Sequence, residues 1–213
     1  MASVVPAILA DTAEEYGRRL DRVKDFARRL HIDICDGVFT GSKTIGLSQV
    51  YDIDGVPLDI HLMTQHPESQ IENIVSLQPS LVICHFEAES DRESFFRDLR
   101  ESDIKVGLAI NPETKVEQVQ HLLPNLDHAL VFTGGHLGYY GGQFQTECLD
   151  KIAQIKAINP DIEVSVDGGV DDRTAKLSVD AGADVLDCGS FLQNADDPHN
   201  AYESLQMLAG GGF

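Results

Sequence analysis

Short apolar runs punctuate the chain at positions 4–9, 30–34, 57–62, 81–86, 104–110, 128–133, 162–166 and 184–188, with starts 22 to 34 positions apart. They are nearly continuously apolar or rich in β-branched residues, the pattern of strands covered on both faces. Most of the intervening segments carry apolar residues at a helical period. Thr12 followed by Glu15 predicts a capping box ahead of Tyr16, Leu20 and Val23. Pro67 opens a helix through Ile71, Ile74 and Leu77. Ser90 and Glu93 predict a second box before Phe96 and Leu99, and later helices are expected over 114–123, 147–159, 171–181 and 200–208. Segment 37–57 lacks an amphipathic helix, and a short one near 47–50 is expected to stand in.

Strand and helix alternating eight times, at about 26 residues per unit, predict an α/β fold of the closed (β/α)8 TIM barrel kind. A doubly wound open sheet usually needs fewer strands, and no GxGxxG follows the first run. The expected organisation is one barrel domain over 1–213, with the glycine-rich tail after Leu208 frayed.

Composition narrows the function classes. Sixteen Lys and Arg stand against 35 Asp and Glu, for a net charge of -19, a field that repels nucleic acid and anionic membrane surfaces. The four cysteines, Cys35, Cys84, Cys148 and Cys188, are far apart with no CxxC, which fits a reducing compartment. The first twenty residues lack the basic region of a signal peptide, and no segment approaches 18 apolar residues, so a cytoplasmic location is expected.

Unusual polar residues gather at strand ends, where a barrel builds its active site. His31 and Asp33 share one face of the second strand; His61 ends the third; Asp167 ends the seventh. Two imidazoles and two carboxylates make a mixed N/O site for one divalent cation, with Zn²⁺, Mn²⁺, Fe²⁺ and Co²⁺ all chemically reasonable. Glycines after late strands supply a second signal. Gly168 and Gly169 precede a helix, Gly189 and Ser190 follow the eighth strand, and Gly142 lies in the long loop after the sixth. Their backbone N–H groups suit a phosphate, and local donors outweigh a screened global field.

With these residues the sequence resembles the ribulose-phosphate 3-epimerase family. The resemblance runs from about Pro6 to Met207. Its carriers are His-Ile-Asp-Ile-Cys-Asp-Gly-Val-Phe from His31, Asp-Ile-His-Leu-Met from Asp59, His-Phe-Glu-Ala from His85, and Gly-Leu-Ala-Ile-Asn-Pro from Gly107. Gly-Gly-Gln from Gly141, Val-Asp-Gly-Gly-Val from Val166, Gly-Ala-Asp from Gly182 and Gly189-Ser190 complete it. It implies a ribulose-phosphate-binding barrel that epimerises C3 of a ketose phosphate, most simply D-ribulose 5-phosphate to D-xylulose 5-phosphate. It also implies that His31, Asp33, His61 and Asp167 bind the metal, and that Asp33 and Asp167 are the acid/base pair acting through a metal-stabilised enediolate. Gly142, Gly168, Gly169, Gly189 and Ser190 would hold the phosphate. No organic cofactor is implied. The expected partner is a small phosphorylated sugar, and the family's assemblies allow a homo-oligomer. The decarboxylases of this barrel type carry Asp-x-Lys-x-x-Asp, and His61 stands where that motif has Lys.

Departures from the pattern bear on the substrate. Ala10 stands where the family has Ser, Cys35 where it has Met, and Thr40-Gly41-Ser42 where Val-Pro-Asn is common. The loop after the sixth strand is about two residues longer than the family's Pro-Gly-Phe-Gly-Gly-Gln run. Ala10, Cys35, Met63, His85, His136, Tyr139, Tyr140 and Gln143 are therefore candidate pocket residues, with His85 and Glu87 fitted to orient a ligand imidazole. Asp36 could cap a backbone amide or support the metal. The alternatives are the same chemistry on another ketose phosphate, such as a ketohexose 6-phosphate, and a non-catalytic barrel that binds a sugar phosphate.

Overall fold

Runs that are apolar on both faces need cover on both sides, and closing the sheet supplies it. The strands are β1 (Ser3–Ile8), β2 (Leu30–Cys35), β3 (Leu58–Met63), β4 (Leu81–His85), β5 (Lys105–Ile110), β6 (His128–Phe132), β7 (Glu163–Asp167) and β8 (Val185–Cys188). They close in sequence order into an eight-stranded barrel, with β8 parallel to β1. The computed structural model describes residues 1–51 and 53–210. Every strand lies within a residue or so of its expected bounds.

The helices are α1 (Ala13–Asp21), α2 (Ile71–Leu77), α3 (Arg92–Glu101), α4 (Val116–Val119), α5 (Asp150–Ile158), α6 (Ala175–Asp180), α7 (Ser190–Gln193) and α8 (Pro198–Leu208). Thr12 caps α1 by accepting the Glu15 N–H at 3.2 Å, while the Glu15 carboxylate reaches back to the Asp11 N–H rather than to Thr12. The cap of α3 is Asp91, one residue later than the Ser90 that the sequence pattern suggests; its carboxylate accepts from the Ser94 N–H. The helix expected over 114–123 shrinks to one turn, α4. A 3₁₀ turn, Leu123–Asn125, follows it around Pro124, which has no N–H to continue a helix. The helix expected from position 171 starts at Ala175, because the Asp171 carboxylate takes the N–H groups of Arg173 and Thr174 and fixes a turn. Segment 37–57 holds the 3₁₀ turn Leu47–Gln49 in its expected place, and Lys43 forms an antiparallel bridge with Asp36.

Just before the glycine-rich tail, Ala209 is fully buried and its carbonyl accepts the Ala2 N–H at 3.1 Å. Residues 211–213 of that tail lie outside the described residues. No helix among the described residues is long and apolar enough to cross a membrane.

Two kinds of interior result. Between sheet and helices, Ile8, Leu30, Ile32, Ile60, Leu62, Val106 and Val164 pack against Tyr16, Leu20, Ile74, Phe95, Leu99 and Ile152. Inside the barrel the lining is divided. Leu81, Ile83, Ala109, Leu130 and Phe132 form an apolar cluster, while β2, β3, β7 and β8 contribute His31, Asp33, Asp59, His61, Ser165 and Asp187, all buried. Register sets these in tiers: Asp33 pairs with His61, His31 with Asp59, and Asp167 with Asp187.

Candidate active site

Strand alternation aims His31 and Asp33 inward together, and the β2–β3 register brings His61 beside Asp33. The Nδ1 atom of His61 lies 2.9 Å from Asp33 Oδ1 and 3.7 Å from Asp167 Oδ2. The Nε2 atom of His31 lies 3.2 Å from the same Asp33 oxygen. One ligand atom from each of His31, Asp33, His61 and Asp167 falls within 4.8 Å of every other. This two-nitrogen, two-oxygen set on rigid strands is capable of chelating a divalent cation.

The electrostatics of the cluster point the same way. Burial alone would raise Asp33, but hydrogen bonds from His31 and His61 outweigh it and hold the carboxyl far below its usual range. Burial and the charge of Asp33 push Asp167 well upward, so without a cation the pair retains a proton. Burial would lower His31, yet Asp187 and Asp33 reverse that and raise it to about 10. Burial takes His61 down to about 3 against the pull of Asp33. A cation entering here displaces protons, as metal ligation requires.

Behind His61 stands a relay. Its Nε2 faces His85 Nε2 at 2.9 Å, and His85 Nδ1 faces Glu87 Oε2 at 3.3 Å. Glu87 also accepts the Asn111 N–H and the Thr114 hydroxyl. Burial would raise Glu87, but these donors take it down to about 2. Asp36 has turned out to be a cap: it accepts the N–H groups of Val38, Phe39 and Gln65, pinning the loop after β2.

The cavity above the cluster is lined by Asp33, Asp167 and Asp187 at its floor and by Met63, Gly142, Gly168, Gly169, Gly189 and Ser190 on its walls. Gly168 has φ +100°, and a Cβ there would lie 2.4 Å from the Gly134 nitrogen, so only glycine lets the two loops touch. His136, Tyr139 and Tyr140 of the long loop also line it. The Tyr140 hydroxyl accepts the Leu9 N–H at 2.8 Å and donates to the Ala7 carbonyl at 3.3 Å, tying the loop across the barrel mouth to β1.

Other sequence candidates fall elsewhere. Ala10 points into the outer core, and its carbonyl accepts the Ile45 N–H; alternation gives the cavity Ala7 and Leu9 instead. The Cys35 thiol, pushed up to about 11 by burial, packs 3.9 Å from Met63 Sδ and is not among the cavity's lining residues. Gln143 lines an adjoining outer groove with Gly142, Gly169, Asp171, Thr174 and Ser190. Asp187 was missed from sequence, although a carboxylate two residues past Val185 in an otherwise apolar strand was the signal for an inward polar group.

The chain matches the profile of the Ribulose-phosphate 3 epimerase family over residues 3–193. It belongs to that family. The ribulose-phosphate 3-epimerase of Bacillus subtilis is 31% identical over 215 residues, covering 97% of this chain and 99% of the relative. That of Schizosaccharomyces pombe is also 31% identical over 215 residues, covering 96% and 92%. Among solved structures, 3-hexulose-6-phosphate synthase from Salmonella typhimurium superposes with a TM-score of 0.76 at 16% identity, over 99% of this chain and 100% of that one. 3-Keto-L-gulonate-6-phosphate decarboxylase from Vibrio cholerae gives 0.75 at 13%, over 98% and 97%. These structural likenesses show the closed (β/α)8 fold, and the family match makes the barrel one of the ribulose-phosphate-binding type. Family membership makes the chain an isomerase-like enzyme of that barrel type, and its four-residue cluster is one capable of chelating a divalent cation.

Proposed function

We propose that this chain epimerises C3 of a ketose phosphate, D-ribulose 5-phosphate to D-xylulose 5-phosphate, by proton transfer between Asp33 and Asp167. The observation that carries the reading is the meeting of these two carboxylates across His31 and His61, beside walls of glycine backbone. One aspartate, as carboxylate, takes the C3 proton, and the C–H electron pair moves into a C2–C3 double bond while the C2 carbonyl oxygen gains negative charge. The other, as carboxylic acid, returns a proton to C3 from the opposite face, and that charge collapses back to the carbonyl. A divalent cation held by His31, Asp33, His61 and Asp167 would stabilise the charge on the sugar oxygens as a Lewis acid. The glycine loops and Ser190 hold the phosphate, and the Tyr140 loop excludes water from the reacting centre.

His61, in place of the lysine of the decarboxylase motif, favours this reading over loss of carbon dioxide. The longer β6 loop, with His136, Tyr139 and Tyr140 on the cavity, supports a second reading in which the same chemistry acts on a ketohexose 6-phosphate. A panel of C3-deuterated ketose phosphates decides among these. Washout of deuterium to solvent with ribulose 5-phosphate, together with xylulose 5-phosphate formation, is expected. Washout with hexoses alone would transfer the reading to the larger sugar, and none with any substrate on the cation-loaded protein would leave the non-catalytic binding barrel.

A further inference from the structure

The two imidazoles of the cluster use opposite nitrogens. His61 turns Nδ1 toward Asp33 and Asp167, leaving Nε2 for His85 and, through it, Glu87. His31 turns Nε2 toward Asp33, which leaves Nδ1 at the rear. An imidazole that gives one nitrogen to a cation keeps its proton on the other, and a buried N–H needs an acceptor. His31 is fully buried, and its Nδ1 has no hydrogen-bond partner among the described residues. The atom facing it is Asp187 Oδ1, 3.4 Å away.

Asp187 presents the complementary problem. It is 2% exposed, and neither carboxylate oxygen has a hydrogen-bond partner among the described residues. Its register neighbours are Val5 on β1 and Asp167 on β7, and neither side chain donates to it. A carboxylate without donors inside a barrel costs stability, so its place in β8 calls for a compensating role.

We propose that Asp187 is a positioning residue that receives the His31 Nδ1–H and so fixes His31 with Nε2 directed at the cation. Each ligand imidazole then rests on a carboxylate: His61 through His85 on Glu87, His31 directly on Asp187. Such rear acceptors fix tautomer and ring orientation and raise the ligand's basicity, typically changing metal affinity by roughly 10- to 100-fold. The inference rests on the reading that the four residues hold a divalent cation, and is independent of which sugar is turned over.

The test needs no substrate. Co²⁺ affinity is measured by competition with a chromogenic chelator for the wild type, Asp187→Asn and Asp187→Val, with circular dichroism confirming that each variant folds. Weakening of roughly 10- to 100-fold is expected in both variants. In the Zn²⁺-loaded wild type, ¹⁵N NMR should show the His31 ring protonated at Nδ1 with a downfield-shifted proton, and that shift should move upfield in Asp187→Asn. Equal Co²⁺ affinities, or an unmoved His31 resonance, would overturn the assignment while leaving the cation site standing. A wild type that binds neither ion would remove the cation site, and this role with it.

Discussion

Asp33 and Asp167 are the same residue type a few ångströms apart, yet their surroundings drive them in opposite directions. Two imidazole contacts hold Asp33 ionised, whereas burial beside that charge keeps Asp167 protonated in the absence of a cation. That asymmetry belongs to the cation-free site; in the proposed reaction the two identical side chains serve as base and acid by turns. If the proposed epimerisation is right, Asp33→Asn or Asp167→Asn lowers turnover of the ketose phosphate by roughly 10²- to 10⁴-fold, with the far-ultraviolet circular dichroism unchanged. Near-normal turnover in either variant would rule out the two-base assignment. These residues were legible in sequence because each sits in a strand whose alternation fixes where its side chain goes. The same parity argument should have moved attention from Ala10 to Ala7 and Leu9, since the sequence resemblance marked a position that the strand's pleat turns outward. Asp187 escaped because no motif carried it, although its position in β8 follows from the alternation that revealed Asp167.

At the scale of elements, strands were easier to foresee than helices, for a physical reason. A strand buried on both faces declares itself in its own residues, but a helix's bounds depend on side chains that compete for its terminal amides. Asp91 displaced Ser90 as the cap of α3, and Asp171 delayed α6 by taking amides into a turn. The loops over the mouth were legible only as departures from a pattern. Asp36 fixes the base of the loop after β2, and Gly138 of the β6 loop lies against Thr40 and Ser42 of that loop. The Tyr140 hydroxyl is what ties the longer loop to β1, and its ring lies against Gly189 in the cavity wall. Tyr140→Phe keeps the ring and removes the tie, leaving the Leu9 N–H without its acceptor. A loss of about 1 kcal/mol of loop closure, hence a KM raised roughly fivefold to tenfold with a smaller change in kcat, is expected. Limited proteolysis should cut the variant faster within 134–143. An unchanged KM and cleavage rate would mean that the ring, not the hydroxyl, holds the loop.

Across the whole molecule, the barrel carries polar groups from the mouth that holds the four-residue cluster through to its opposite end, where Arg29 closes it. The guanidinium donates to Asp59 at 2.6 Å and to both oxygens of Glu163 at 3.0 and 2.9 Å. Glu163 meets His128 Nδ1 at 2.9 Å, and His128 Nε2 meets Ser165 at 2.9 Å. In a chain of net charge -19, Arg29 is a cation placed where two carboxylates converge on the interior. Arg29→Met removes it and strands Asp59, which is 1% exposed. Breaking such a pair costs about 3 kcal/mol, a fall in Tm of roughly 6–12 °C for a chain of this size. The pH dependence has a definite sign. Burial would raise Glu163, but His128 and Arg29 depress it well below its ordinary 4.5, so its contribution is complete above about pH 4.5 and is lost as the pH falls below that. The Tm difference between wild type and Arg29→Met should therefore be largest near neutrality and narrow toward pH 3, as the unfolded chain takes up a proton that Glu163, held ionised by Arg29 and His128, does not. Thermal melts of both proteins from pH 3 to 8 measure it. A difference that stays constant across that range would mean that Arg29 stabilises the closed end by packing its aliphatic stem and not by its charge.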